Sequence, residues 1–151
     1  MPNNINFDKV LTYAILAESS YHTYIQDSRG NLVDALGALS LPGWRAIDVS
    51  ERVDGFYSVA FENTSTKEIV ISYRGTSGGM DFLQYPALAG GLFETQALFA
   101  RAFYAKVSHD YPTRNITSVG HSLGGALSNF IGLTIMPWQF QTQKNKSSYP
   151  F

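Results

Sequence analysis

The sequence contains no cysteine, which excludes disulfides and thiolate metal sites. No two Lys or Arg residues are adjacent, and the net charge is -1. The electrostatic footprint of a nucleic-acid binder, or of a protein held on an anionic membrane, is therefore missing. No apolar run approaches the roughly 18 residues of a membrane-spanning helix. The first residues, MPNNINFDKV, lack the basic segment followed by an apolar run that marks a signal peptide. These absences lead to the expectation of a cytoplasmic chain, in which the glycosylation triplets at Asn63 and Asn115 are chance matches. His22, His109 and His121 are scattered and lack HExxH-type spacing, so no metal site is expected. Charge itself is scarce, 15% of residues against an average of roughly 25%. With hydrophobic residues at 44%, that balance excludes disorder. It points to apolar surface suited to a lipid-like substrate, a partner, or a further part of the domain.

At 151 residues one domain is the natural count. Asn6 is placed to cap a first helix, with Asp8 in its first turn. Phe7, Val10, Leu11, Ala14 and Ile15 follow at the spacing of one apolar face. DSRGN, 27 to 31, and LPGW, 41 to 44, read as turns. GFYSVAFE, 55 to 62, and EIVISYRG, 68 to 75, read as a hairpin around the turn-forming NTSTK. The run from Ile69 to Tyr73 is apolar enough for a strand buried on both faces. TSGGMDF, 76 to 82, is a loop, and YPALAGGLF, 85 to 93, holds too much Gly and Pro for regular structure. The stretch 78 to 93 is expected to be a packed irregular loop rather than a mobile cover. A helix is expected from Glu94 to Tyr111, ended by Pro112. NITSVG, 115 to 120, reads as a short buried strand, and SLGGALSNFIGLTIM as a helix up to Pro137. Residues 1–136 thus form the domain, and 137–151 a polar tail expected to be poorly ordered. The alternation of strands and helices predicts a layered α/β fold.

The chemistry sits in SVGHSLGGALSN, 118 to 129. An apolar strand runs into G-x-S-x-G and then into an Ala-rich helix, the pattern of a nucleophile elbow. In that turn the serine takes a strained backbone conformation. Side chains two residues before and after it would collide, hence Gly120 and Gly124, while Gly125 allows close packing on the sheet. Ser122 is raised above the sheet edge as a nucleophile. The N–H of Leu123 points to the same place, where an oxyanion can be held. A plain helix cap by Ser122 is the structural alternative.

GHSLGGALS resembles the nucleophile region of class 3 (fungal-type) lipases of the α/β-hydrolase superfamily. EIVISYRGTSGGMDF is similar to that family's strand and loop upstream of the elbow, and YAILAESSYHTY to its N-terminal helix. The likeness covers roughly residues 7 to 135. It implies a partial α/β-hydrolase fold of N-terminal helix, β-hairpin and strand–elbow–helix, with the C-terminal strands missing. It implies carboxylic ester hydrolysis on an acyl or lipid substrate, without metal or organic cofactor. Ser122 would be the nucleophile, Thr76 a second oxyanion donor beside Leu123, and Arg74 and Asp81 a structural pair fixing the loop. The family's triad continues with an acid and then a histidine, but residues 123 to 151 hold no Asp, Glu or His. The expected activity is therefore impaired, and a non-catalytic lipid- or protein-binding form of the same fold is the rival. His22 and His109 are expected to be surface or packed residues, and His121 a lining residue. A strand without a neighbour beyond the elbow would also invite self-association or a partner chain.

Overall fold

The computed structural model describes residues 6–37, 41–75 and 86–135. Helix α1 spans Phe7–Ser19. Asn6 caps it as its position implies, its side-chain oxygen accepting from the Lys9 N–H at 3.1 Å. The packed face is not the one that apolar spacing selects. Phe7, Val10, Leu11 and Ile15 are exposed, whereas Leu16, Ser19 and Ser20 are buried. Small residues let the helix lie close to the sheet. The Ser19 and Ser20 hydroxyls donate to the Ile15 and Ala17 carbonyls, and the Ser72 hydroxyl reaches the Ala17 carbonyl at 3.4 Å. Their burial thus leaves no polar group unpaired.

Strands β1 (Tyr24–Gln26) and β2 (Leu32–Asp34) form a small hairpin. Its turn is set by Asp27, whose Oδ1 accepts from the Arg29 and Asn31 N–H groups, both at 2.8 Å. The main sheet has the order β3 (Trp44–Glu51), β4 (Tyr57–Asn63), β5 (Ile69–Tyr73) and β6 (Ile116–Gly120). The β4–β5 pair is the hairpin anticipated from sequence. Strand β3 was not anticipated: a bulge between Ala46 and Asp48 breaks the period of two that would reveal it.

All five positions of β5 are buried. Ile69, Ile71 and Tyr73 join one core cluster and Val70 the other. Strand β6 runs parallel to β5 and is only half-buried throughout. The expected full burial fails because β6 is the last strand of the sheet among the described residues.

Parallel neighbours require a crossover, here containing α2, Pro86–Asp110. This corrects the expectation of irregular structure over 85 to 93. Pro86 stands at the first helical position, where a missing N–H costs no helical bond. Gly90 and Gly91 would meet nothing within 4 Å if they carried a Cβ. They weaken the helix by roughly 0.5–1 kcal/mol each rather than breaking it. Helix α3, Leu123–Thr134, follows β6. Phe103, Tyr104 and Val107 of α2, with Leu127 and Ile131 of α3, pack on Phe56, Ala60, Ile71 and Tyr73. Leu16 of α1 and Tyr24 pack with Tyr57, Val59, Phe61 and Val70 in the second cluster. The sheet is therefore buried between helical layers, as a mixed α/β fold requires.

The Tyr73 side chain is fully buried, its hydroxyl donating to the Ala100 carbonyl at 3.4 Å. Burial pushes its phenol far above the usual value near 10. In the unfolded chain Tyr73 ionises near pH 10, while in the fold it stays protonated. The folded state then binds the extra proton, so stability is intact below pH 10 and falls as pH rises above it, by about 1.4 kcal/mol per pH unit for this group. Urea unfolding at pH 9 and pH 11 should show that loss, and Tyr73→Phe should reduce it, the remainder coming from Tyr24, Tyr57 and Tyr104, which burial also raises. Equal slopes in the two proteins would contradict the assignment.

Candidate active site

Strand β6 ends at Gly120 and α3 begins at Leu123, so two residues make the turn. Ser122 has φ 55° and ψ -126°, a conformation that costs a side-chain-bearing residue on the order of 1–3 kcal/mol. The surrounding glycines are required by contact. A Cβ on Gly120 would stand 2.2 Å from the Gly124 carbonyl carbon and oxygen. A Cβ on Gly124 would stand 1.9 Å from the Tyr73 carbonyl oxygen, and one on Gly125 3.1 Å from the Gly120 oxygen. Gly124 therefore makes room for the neighbouring strand as well as for the turn.

Ser122 is exposed. Its hydroxyl does not cap α3 and has no hydrogen-bond partner among the described residues. The helix cap that rivals the elbow is thus not what the residue does. In the first turn of α3, Gly124 N–H donates to the His121 carbonyl at 3.0 Å, and Gly125 N–H to the Ser122 carbonyl at 2.9 Å. Among the described residues the Leu123 N–H has no backbone acceptor. It is one of the free donors that make a helix N-terminus favourable to negative charge.

The register that pairs Tyr73 with Gly120 brings the residues after β5 beside the elbow. A Cβ on Gly75 would lie 2.9 Å from the His121 carbonyl oxygen and 3.3 Å from Ser122 Cβ. The carboxyl ends of two adjacent parallel strands thus meet at Ser122, where open α/β sheets form their ligand crevices. Arg74 lies with its guanidinium 4.5 Å from the centre of the Tyr57 ring, a cation–π contact. Thr76 and Asp81, and with them the expected oxyanion donor and charge pair, lie outside the described residues.

The histidines are spread apart. His121 is exposed on the turn itself. His22 Nδ1 is 2.7 Å from Asp34 Oδ2, joining the segment after α1 to β2. His109, 89% exposed at the end of α2, is 3.1 Å from Asp110. Among the described residues, no histidine or carboxylate contacts the Ser122 hydroxyl, and no cluster of His, Asp and Glu could hold a metal. No helix among them is long and apolar enough to cross a membrane. The most buried carboxylate, Glu62, meets Arg45 at 2.8 Å, Arg114 at 3.8 Å and Lys67 at 4.0 Å. It sits across from Ile69, at the opposite end of the sheet from Ser122, and no sequence spacing announces this cluster.

No protein-family model matches the sequence. The fold is similar to solved fungal lipases. Against the Lip2 lipase of Yarrowia lipolytica the TM-score is 0.53 at 16% identity, over 86% of this chain and 53% of that one. Against the nonglycosylated form of the same lipase it is 0.59 at 18% identity, over 84% and 53%. Against the Rhizomucor miehei lipase in its propeptide complex it is 0.53 at 19% identity, over 83% and 45%. The chain spans about half the length of the structures it matches. At these identities the likeness is one of fold.

Gly124→Ala and Gly120→Ala place a methyl against backbone atoms that cannot swing away, and each should lose about 3 kcal/mol or fail to fold. Gly132→Ala, with nothing within 4 Å of its Cβ, should be neutral or stabilising. Ser122→Gly should gain about 1 kcal/mol by releasing the strained turn. Denaturant unfolding measures all four, and a Ser122→Gly protein no more stable than the parent would contradict the strain.

Proposed function

We propose that the chain carries the nucleophile of a carboxylic ester hydrolase of the class 3 lipase type, on a partial α/β-hydrolase fold, acting on acyl or lipid esters. The observation that carries this reading is Ser122 itself: exposed, held at positive φ where β6 turns into α3, and beside a free Leu123 N–H. The Ser122 oxygen attacks the ester carbonyl carbon and gives up its proton to a base. The carbonyl oxygen, now negative, accepts hydrogen bonds from the Leu123 N–H and from Thr76. The carbon–oxygen bond to the alcohol then breaks, the alcohol leaving with a proton, and water releases the acyl group from Ser122. Metal and organic cofactors have no step in this scheme.

Proton transfer is the weak part. Residues 123 to 151 hold no acid or histidine, and no described base contacts the hydroxyl. In a serine hydrolase lacking its triad partners, roughly 10³–10⁴-fold acceleration over water remains, from oxyanion binding and positioning. These 151 residues should therefore turn over p-nitrophenyl butyrate slowly, and Ser122→Ala should remove what turnover there is. A fluorophosphonate probe should label Ser122. The rival is a lipid- or protein-binding form of the fold, favoured by the absence of a base at the hydroxyl. A chain that binds acyl ligands but is neither labelled nor active would establish that rival and overturn the hydrolase.

The same reading assigns to self-association the edge of β6 that no described strand covers. The two sheet edges are unlike. Strand β3 carries a bulge and the charges of Arg45, Asp48 and Glu51, devices that discourage pairing. Strand β6 has no charge, no proline and an unbroken register. Its edge opens on a groove of about 700 Å³ between Lys9 and Leu133. Light scattering should show a dimer or larger species, reduced by Thr117→Lys in the middle of β6. A monomeric parent chain at micromolar concentration would refute this part, while a monomer that dimerises only with another polypeptide would move the assignment to that partner.

A further inference from the structure

The chain leaving α1 passes over the elbow. Tyr21 follows the buried Ser19 and Ser20, and its N–H donates to the Glu18 carbonyl at 3.0 Å. The Tyr21 hydroxyl stands 2.8 Å from the point that a Gly75 Cβ would occupy. The His121 carbonyl oxygen and Ser122 Cβ lie 2.9 Å and 3.3 Å from that same point. The Tyr21 ring also meets the His121 ring edge-on, with centroids 6.4 Å apart at 66°. A phenol, the candidate nucleophile and the ends of β5 and β6 therefore surround one small gap, which exists because residue 75 has no side chain.

Several of the described tyrosine hydroxyls are bonded within the fold. Tyr13 donates to Glu68, Tyr24 to the Ser19 carbonyl and Tyr73 to the Ala100 carbonyl, while the Tyr57 oxygen accepts from the Tyr24 N–H. The Tyr21 side chain is half-buried, yet its hydroxyl has no hydrogen-bond partner among the described residues. An O–H held beside the turn with no acceptor among the described residues is available to a ligand that displaces solvent there.

We propose that Tyr21 is a substrate-positioning residue of the Ser122 site, its hydroxyl donating a hydrogen bond to an oxygen of the bound acyl ester. The inference rests on the hydrolase reading for the class of ligand. An ester offers only acceptor oxygens, so a phenol O–H complements it where a carbonyl or carboxylate would repel it. The Leu123 N–H is presented by α3 and the Tyr21 O–H by the segment that follows α1. Donors from two separate elements fix the ester's orientation, including the rotation that one donor leaves free. The role also gives Gly75 a second reason for being glycine, because a side chain there would displace the phenol as well as crowd the turn.

The test is equilibrium binding of a dialkyl alkylphosphonate, which presents a P=O acceptor but has no good leaving group, to the full 151-residue chain. Tyr21→Phe should weaken binding about fivefold, the scale of one net hydrogen bond, with an unchanged melting temperature. In the parent chain, the Cζ carbon resonance of Tyr21 should shift on titration, a readout that does not depend on how the variant folds. An unchanged Kd in Tyr21→Phe, an unshifted resonance, or no phosphonate binding at all would overturn the role. Fluorophosphonate labelling separates this outcome from the hydrolase reading. Labelling with an unchanged Kd removes Tyr21 and keeps the hydrolase. Weakened phosphonate binding without labelling keeps Tyr21 as a ligand contact and removes the hydrolysis.

Discussion

The structure depends on the approach of α3 to the end of β5. Gly124 lies so close to the Tyr73 carbonyl that no side chain fits between them, and the parallel β5–β6 register sets that contact. Everything at the candidate site follows from it. The helix N-terminus is held against the sheet, the turn before it must be short, and Ser122 is forced to positive φ. A single methyl at position 124 would push α3 away from the end of β5 and re-aim the Leu123 N–H relative to the Ser122 hydroxyl. The strain in Ser122 is thus offset by the packing of two rigid elements, Leu127 and Ile131 holding one and Ile69, Ile71 and Tyr73 the other. Sites built this way hold geometry better than sites on loops alone.

Two kinds of chemistry separate in this arrangement. Stabilising a negative oxygen needs donors that the elbow itself creates, since a helix beginning at a strand end leaves its first N–H groups unpaired. Moving a proton needs a base brought in from another part of the chain. The described residues supply the first and leave the Ser122 hydroxyl without the second. The His22–Asp34 and His109–Asp110 pairs instead join local segments, and neither contacts the hydroxyl. The chain spans about half the length of the lipases whose fold it resembles, and the described residues around Ser122 come from β5, β6 and α3.

Legibility in the sequence followed the range of the forces involved. G-x-S-x-G could be read because its sterics act within five residues of backbone. The β4–β5 hairpin could be read because an apolar run and a turn adjoin. The buried face of α1 could not, because close packing through Ser19 and Ser20 overrode the apolar stripe, and serines carry no periodic signal. The start of α2 is hidden because its Gly and Pro content argues for irregular structure, whereas proline is tolerated at the first helical position and Gly90 and Gly91 only weaken a helix. Strand β3 was hidden by its bulge. Tyr21 was invisible as a site residue: its place beside Gly75 and Ser122 is fixed by the way α1 lies on the sheet, and nothing in YAILAESSYHTY separates it from the tyrosines that serve the core.

The account is tested most directly by the backbone angle at residue 122 in a crystal structure of the 151-residue chain. It predicts φ near 55°, a free serine hydroxyl facing solvent, and the Gly124 backbone against the Tyr73 carbonyl. A negative φ at residue 122, with its hydroxyl bonded into the first turn of α3, would contradict it.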